Sequence, residues 1–224
     1  MPAGGTNADA LETTDIVAAE LTAPRAMSHS AESEIAAHFR HSREALERAS
    51  ADRGFLSTVA TIAKIIADAY RTGGKLLIAG NGGSAGDAQH IAGEFLSRYG
   101  MDRRPLPAIA LTTDTSVLTA VGNDYGFEQV FERQVRGLGR RGDVLLALST
   151  SGRSANVLAA LRAARELGLV TIGFTGAGAN EMREHCDHIL CAPGDGTPVI
   201  QQLHLMAAHA ICGVVERELF GRPG

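Results

Sequence analysis

Two short stretches of this chain combine glycine with small hydroxyl residues in the order that places backbone N–H groups against an anion. The first is Gly80-Asn81-Gly82-Gly83-Ser84-Ala85-Gly86-Asp87, preceded by an apolar run from Lys75 and followed by a helical pattern. The second is Ser149-Thr150-Ser151-Gly152, after Asp143–Leu148, with Ser154 placed to cap the next helix. A strand that runs through such a loop into a helix offers free N–H groups and the positive end of the helix dipole. That suits a phosphate without needing a lysine. Asn81 and Ser84 add groups that hydrogen-bond sugar hydroxyls or phosphate oxygens. The first loop matches neither the P-loop pattern nor G-x-G-x-x-G. Its glycines serve equally well as plain turn residues, so alone it leaves both readings open. Four hydroxyl residues within six positions make the second loop the sharper signal. Two such loops point to a phosphorylated metabolite.

Titratable residues lie downstream of the first loop and near the C-terminus. His90 and Glu94 are four apart on one helix and share a face. They are either reacting groups or an ordinary helix pair worth about 0.2–0.5 kcal/mol. Gln201 and His209 stand eight apart on the last apolar stretch, with Gln202 and His204 between them. A lone histidine there reads as readily as a satisfied buried residue.

The elements that must position these groups alternate. Strand-like runs at 75–79, 108–111, 144–148, 170–174 and 189–191 interleave with helical patterns at 84–99, 116–121, 127–138, 154–167 and 180–185. Such alternation predicts right-handed crossovers and a parallel sheet covered on both faces, with ligands at the carboxyl ends of the strands. Before the sheet, Ile35, Phe39, Leu46, Phe55, Val59, Ile62, Ile65 and Ile66 fit one or two amphipathic helices ending at Gly73-Gly74. Residues 1–30 are rich in Ala, Gly, Thr and acidic residues and read as a disordered tail, with Met27 as an alternative start. Residues 31–224 read as a single domain.

Composition narrows the class. The chain has 224 residues, 45% hydrophobic but only 4% aromatic, so the core is built of Ala, Leu, Ile and Val. A net charge of −4 with no basic run among aromatics gives little to attract nucleic acid. Cys186, Cys191 and Cys212 form no C-x-x-C pair and read as small core residues in a reducing cytoplasm. No basic-then-apolar leader is expected at the N-terminus. The longest apolar stretch, Val199 to Val215, is broken by Gln201, Gln202, His204 and His209 and is expected to be too short and polar to span a bilayer.

The segments GNGGSAGDAQHIAGEF, TTDTSVLTAVGNDYGFEQVF, LSTSGRSANV and TPVIQQLHLMAAH, with a long C-terminal helix, resemble the sugar isomerase (SIS) domain family, and within it the bacterial phosphoheptose isomerases. The resemblance covers roughly residues 31–220. It implies a three-layer, doubly wound α/β fold on a five-stranded parallel sheet, preceded by an N-terminal helical segment. It also implies isomerisation of sedoheptulose 7-phosphate to D-glycero-D-manno-heptose 7-phosphate through an enediol, with Glu94 as base and His209 as acid. Substrate contacts are implied for Asn81, Gly82, Gly83, Ser84, Glu94, Asp114, Thr115, Ser149, Thr150, Ser151, Ser154 and Gln201. One zinc ion per subunit is implied on His90, Glu94, Gln201 and His209, in a cytoplasmic homotetramer with shared active sites and neither nucleic-acid nor membrane partners.

Asp114 has a rival reading as a helix cap through Val117. Pro198 departs from relatives that carry aspartate before the glutamine; with Thr197 as N-cap, it fits the first helical position. Two other functions stand beside the main one. The first is a non-catalytic phosphosugar-binding regulator or partner-binding protein, which the presence of Glu94 and His209 opposes. The second is an isomerase of another phosphoketose.

Overall fold

The computed structural model describes residues 29–178 and 180–221. The proposed tail up to residue 28, with Met27, lies outside them. The chain divides into two compact units, Met1–Arg40 and His41–Gly224. The described part of the first is the opening of helix α1 (His29–Ala51).

The second unit holds the sheet. Helix α2 (Arg53–Arg71) starts where the Asp52 carboxylate accepts the N–H groups of Gly54 and Phe55, at 2.8 and 3.2 Å. Its buried residues Val59, Ile62, Ala63, Ile66, Ala67 and Tyr70 recur every three to four positions and so form one core-facing stripe. Then come β1 (Leu76–Gly80), α3 (Gly83–Leu96), β2 (Ala108–Ala110), α4 (Thr115–Asp124) and a 3₁₀ turn (Phe127–Gln129). They are followed by α5 (Val130–Leu138), β3 (Val144–Leu148), α6 (Ala155–Leu167), β4 (Val170–Gly176), α7 (Asn180–Arg183), β5 (His188–Ala192) and α8 (Thr197–Phe220).

All five strands are parallel, in the order β2-β1-β3-β4-β5. Alternate strand residues face opposite layers. Leu76, Ile78, Val144, Leu146, Leu148, Ile172 and Phe174 meet α2, α3 and α8, while Leu77, Ala79, Leu145 and Ala147 meet α5 and α6. Burial on both faces is why these strands read as unbroken apolar runs. The strand order reverses at β1 and β3, whose register aligns Gly80 with Leu148. The two glycine- and serine-bearing loops therefore leave the sheet side by side, at the position where doubly wound folds bind ligands.

Three expectations shift. The helix expected over 127–138 opens as a 3₁₀ turn, a tighter winding common at helix starts. Helix α8 is capped by Gly196 and not by Thr197: Gly196 takes the positive φ of 78° that turns the chain out of β5, leaving Thr197 inside the helix and Pro198 one place later. Helix α8 also extends well beyond Val199–Val215, to 24 residues, and an 18-residue stretch within it has a mean hydropathy of 1.3, long and apolar enough by length and composition to cross a membrane. It packs as a core helix, burying Ala207, Ala208, Ile211, Cys212 and Val215 against the sheet-facing cluster and Leu203 in a smaller cluster with Ala45, Ala49 and Ala192. Burial pushes the Cys186 and Cys212 thiols up to about 12, which keeps them unreactive at neutral pH.

Candidate functional site

The two loops form one pocket. The first loop turns at Gly82, whose φ of 56° suits glycine, and passes close to α8 at Gly83. A Cβ on Gly83 would sit 2.5 Å from Nε2 of Gln201, so only glycine lets that amide approach the start of α3. Asn81 and Asn156 exchange two amide hydrogen bonds, at 2.8 and 2.9 Å, which tie this loop to the first turn of α6. Asn81 was expected to contact substrate; both of its amide atoms already bond Asn156.

In the second loop, Ser149 is buried and its backbone N–H donates to the Phe174 carbonyl at 2.9 Å. Ser154 stands at the N-cap of α6, as expected, yet its hydroxyl caps nothing. It pairs with the Ser149 hydroxyl at 3.0 Å. Helices α3 and α8 likewise begin without a side-chain cap. Asn81, Gly82, Gly83, Ser84, Ser149, Thr150, Ser154, Thr197 and Gln201 line a cavity of about 250 Å³ at these three helix starts. Orphan N–H groups and three helix dipoles aimed at one polar cavity are the chemistry of a phosphate site.

A second cluster lies further along the same pair of helices. Helices α3 and α8 run side by side in the same direction: Gly83 meets Gln201, His90 meets His209, and the residues just past α3 meet Glu216. Nε2 of His90 lies 2.9 Å from Nε2 of His209 and 3.3 Å from Oε1 of Glu94. The ring of Tyr99 packs on His209 with centroids 5.7 Å apart. Burial raises the Asp87 carboxyl, one turn before His90, and the nearby His90 partly offsets it. His90 is exposed and Glu94 half-buried, so the cluster is open to a ligand.

One ligand atom from each of His90, Glu94 and His209 falls within a span of 4.8 Å. Two donors on one tetrahedral zinc ion are roughly 3.4 Å apart, so the triad's spacing and its N/O donor set fit a divalent metal. Gln201, eight residues before His209, is displaced by about 12 Å along the helix axis. The structure thus gathers three of the four expected ligands in one cluster and places Gln201 in the pocket formed by the two loops.

Other expected residues fall elsewhere. The Asp114 carboxylate accepts the N–H of Val117 at 3.0 Å, as a helix cap, and lines a separate cavity of about 530 Å³ beside β2. Thr115 begins that helix and is exposed. Ser151 is exposed too, its hydroxyl accepting the N–H of Arg153 at 3.3 Å. Sequence reasoning missed Asn156 and Tyr99; the position of Asn156 beside the STSG turn was the available signal. His204, ambiguous in sequence, is buried with Nε2 3.1 Å from the Thr175 carbonyl, away from both clusters.

A doubly wound sheet with an anion pocket at its switch point defines a class of phosphometabolite-binding α/β domains. The chain belongs to the SIS domain family, whose model matches residues 37–176. It is 58% identical over 193 residues to a phosphoheptose isomerase of Bradyrhizobium sp. (strain BTAi1), covering 86% of this chain and 98% of that one. It is 56% identical over 172 residues to a phosphoheptose isomerase of Burkholderia pseudomallei (strain 1710b), covering 77% and 87%. The solved structure of phosphoheptose isomerase GmhA from Neisseria gonorrhoeae superposes with a TM-score of 0.78 at 42% identity, over 84% of this chain and 99% of that one. A phosphoheptose isomerase from Francisella tularensis gives a TM-score of 0.80 at 36% identity, over 84% and 99%.

Proposed function

We propose that the chain is a phosphoheptose isomerase, converting sedoheptulose 7-phosphate into D-glycero-D-manno-heptose 7-phosphate. One observation carries this reading from the structure: the anion pocket and the His–Glu cluster share the α3–α8 groove, seven residues and about 10 Å apart along α3. An extended carbon chain advances about 1.25 Å per bond, which puts a C7 phosphate about 9 Å from C2. A five-carbon ketose phosphate falls about 2.5 Å short of that.

With the phosphate held by the helix starts, Ser149, Thr150 and Ser154, the C1–C2 end of the sugar reaches Glu94 and His209. The Glu94 carboxylate takes a proton from C1 while His209 gives one to the C2 carbonyl oxygen, forming the enediol. His209 then takes the proton from the C1 hydroxyl oxygen as Glu94 returns its proton to C2, so the aldose forms with no net gain or loss of protons. His90, Glu94 and His209 would hold a zinc ion, which supplies Lewis-acid polarisation of the carbonyl when bound. Gln201 then lines the phosphate end of the groove, beside Gly83.

We further propose a cytoplasmic homotetramer with shared sites. The exposed Leu46, Leu56 and Met206 support self-association: they rim an apolar groove of about 210 Å³ between α1, α2 and α8.

Glu94→Gln tests the chemistry. It keeps the side chain's shape and loses the base, so isomerisation should fall ~10²–10⁴-fold while sedoheptulose 7-phosphate still binds. Near-normal turnover would make Glu94 structural or only a ligand.

A further inference from the structure

A second charged cluster, unrelated to substrate contacts, lies at the far end of the groove. The side chains of Arg103 and Glu216 are each only 2% exposed and meet at 2.9 Å. The Arg103 guanidinium donates to the carbonyls of Glu94 at 2.8 Å, Phe95 at 2.6 Å and Ser97 at 3.2 Å. Those are the end carbonyls of α3, which otherwise lack helical partners. The Glu216 carboxylate in turn accepts the N–H groups of Tyr99, Gly100 and Met101, at 2.7, 2.8 and 3.0 Å. Burial alone would raise the Glu216 carboxyl, but these three bonds and Arg103 together hold it below the usual carboxylate range. The Glu216 carboxylate therefore stays ionised and hydrogen-bonded at neutral pH.

The arrangement leads straight to the reacting groups. His209, Gly213 and Glu216 stand at i, i+4 and i+7 and so share one face of α8. Gly213 leaves the space that the Tyr99 ring fills: a Cβ there would lie 3.1 Å from its Cε1. Glu216 holds the Tyr99 backbone, and the Tyr99 ring rests on His209. From the other side, Arg103 grips the carbonyl of Glu94 itself. Two long-range contacts, one to each partner of the acid–base pair, thus start from a single buried ion pair.

We propose that Arg103 and Glu216 are positioning residues that set, through the end of α3 and the ring of Tyr99, the spacing of Glu94 and His209. The inference rests on the isomerase reading for its kinetic arm. Lysine at 103 keeps the charge but cannot fork to Glu216 and three carbonyls at once. Misplacing a reacting group by an ångström costs rate far more than it costs substrate binding. The phosphate pocket lies at the opposite end of α3 and is left untouched.

The test compares wild type with Arg103→Lys and Glu216→Gln in two assays: steady-state isomerisation of sedoheptulose 7-phosphate, and Zn²⁺ affinity of chelator-stripped protein by competition with a chromophoric chelator. Folded variants should lose about tenfold or more in kcat, with KM changed less than about threefold, and about tenfold in Zn²⁺ affinity. Unchanged kcat and unchanged Zn²⁺ affinity overturn the proposal, as does a loss confined to KM. Should both variants fail to fold, Tyr99→Leu decides it: the ring is half-exposed and the ion pair stays whole. Loss of kcat without loss of KM supports the inference, and wild-type kinetics refute it. A wild-type protein inactive on sedoheptulose 7-phosphate would refute the isomerase reading, and the Zn²⁺ affinities would still judge the positioning role.

Discussion

Ser154 shows how a residue's role is set by what its hydroxyl declines to do. It occupies an N-cap, where serine ordinarily satisfies a helix N–H, but pairs with Ser149 and leaves those N–H groups for a ligand. Replacing Ser149, Ser151 and Ser154 together with alanine should therefore weaken substrate binding by about two orders of magnitude or more, from the lost hydrogen bonds of Ser149 and Ser154 to a charged group, with little added by Ser151. KM for sedoheptulose 7-phosphate measures this, with circular dichroism to confirm the fold, and an unchanged KM would contradict it.

His204 is the opposite case, a polar residue spent on structure. Burial pushes it down to about 4, against the smaller upward pull of its bond to the Thr175 carbonyl. An unfolded histidine titrates near ~6.5, so the unfolded chain binds a proton that the folded chain refuses. Stability should therefore fall as pH drops from about 6.5 to about 4, by roughly 3 kcal/mol over the window. Chemical denaturation across this range should give a flatter curve for His204→Asn than for wild type; parallel curves would remove His204 as the cause.

At the scale of elements, the proposed site lies in one helix pair. Helices α3 and α8 are joined at three levels, by Gln201 against Gly83, by the His90–His209 contact and by Glu216. A metal on His90, Glu94 and His209 would cross-link them at the middle level. Zinc at a hundredfold excess over its Kd should then stabilise the fold by about 2.7 kcal/mol, read as a rise in melting temperature over chelator-treated protein. His90→Ala should abolish the rise, and a melting temperature indifferent to zinc would contradict the cross-link.

The strands and both anion loops were legible in sequence because each is a local pattern. An apolar run buried on two faces and a glycine- or serine-rich turn into a helix need no knowledge of the rest of the chain. The placement of Gln201 was not legible, because it depends on how far α8 slides along α3, and no local pattern fixes that slide. Asp114 offered two local readings, and the cap is the one made in the structure. Arg103 and Glu216, 113 residues apart, look like surface charges until the fold buries them together.

At the scale of the whole molecule, the proposed function has the sheet fix one end of the substrate and the helix pair fix the other. The register of β1 with β3 brings both anion loops together, and the length of α3 sets the distance from there to the acid–base groups. The proposed function therefore has this molecule measure chain length. Shorter ketose phosphates should bind through the same phosphate yet fail to bring C1 and C2 to Glu94 and His209, losing kcat more than affinity. The most direct measurement is kcat/KM of the purified protein for sedoheptulose 7-phosphate beside a five-carbon ketose 5-phosphate, with the aldose products identified. The seven-carbon substrate should be favoured by about a hundredfold or more. Equal or faster conversion of the five-carbon ketose, or no conversion of sedoheptulose 7-phosphate at all, would contradict the assignment.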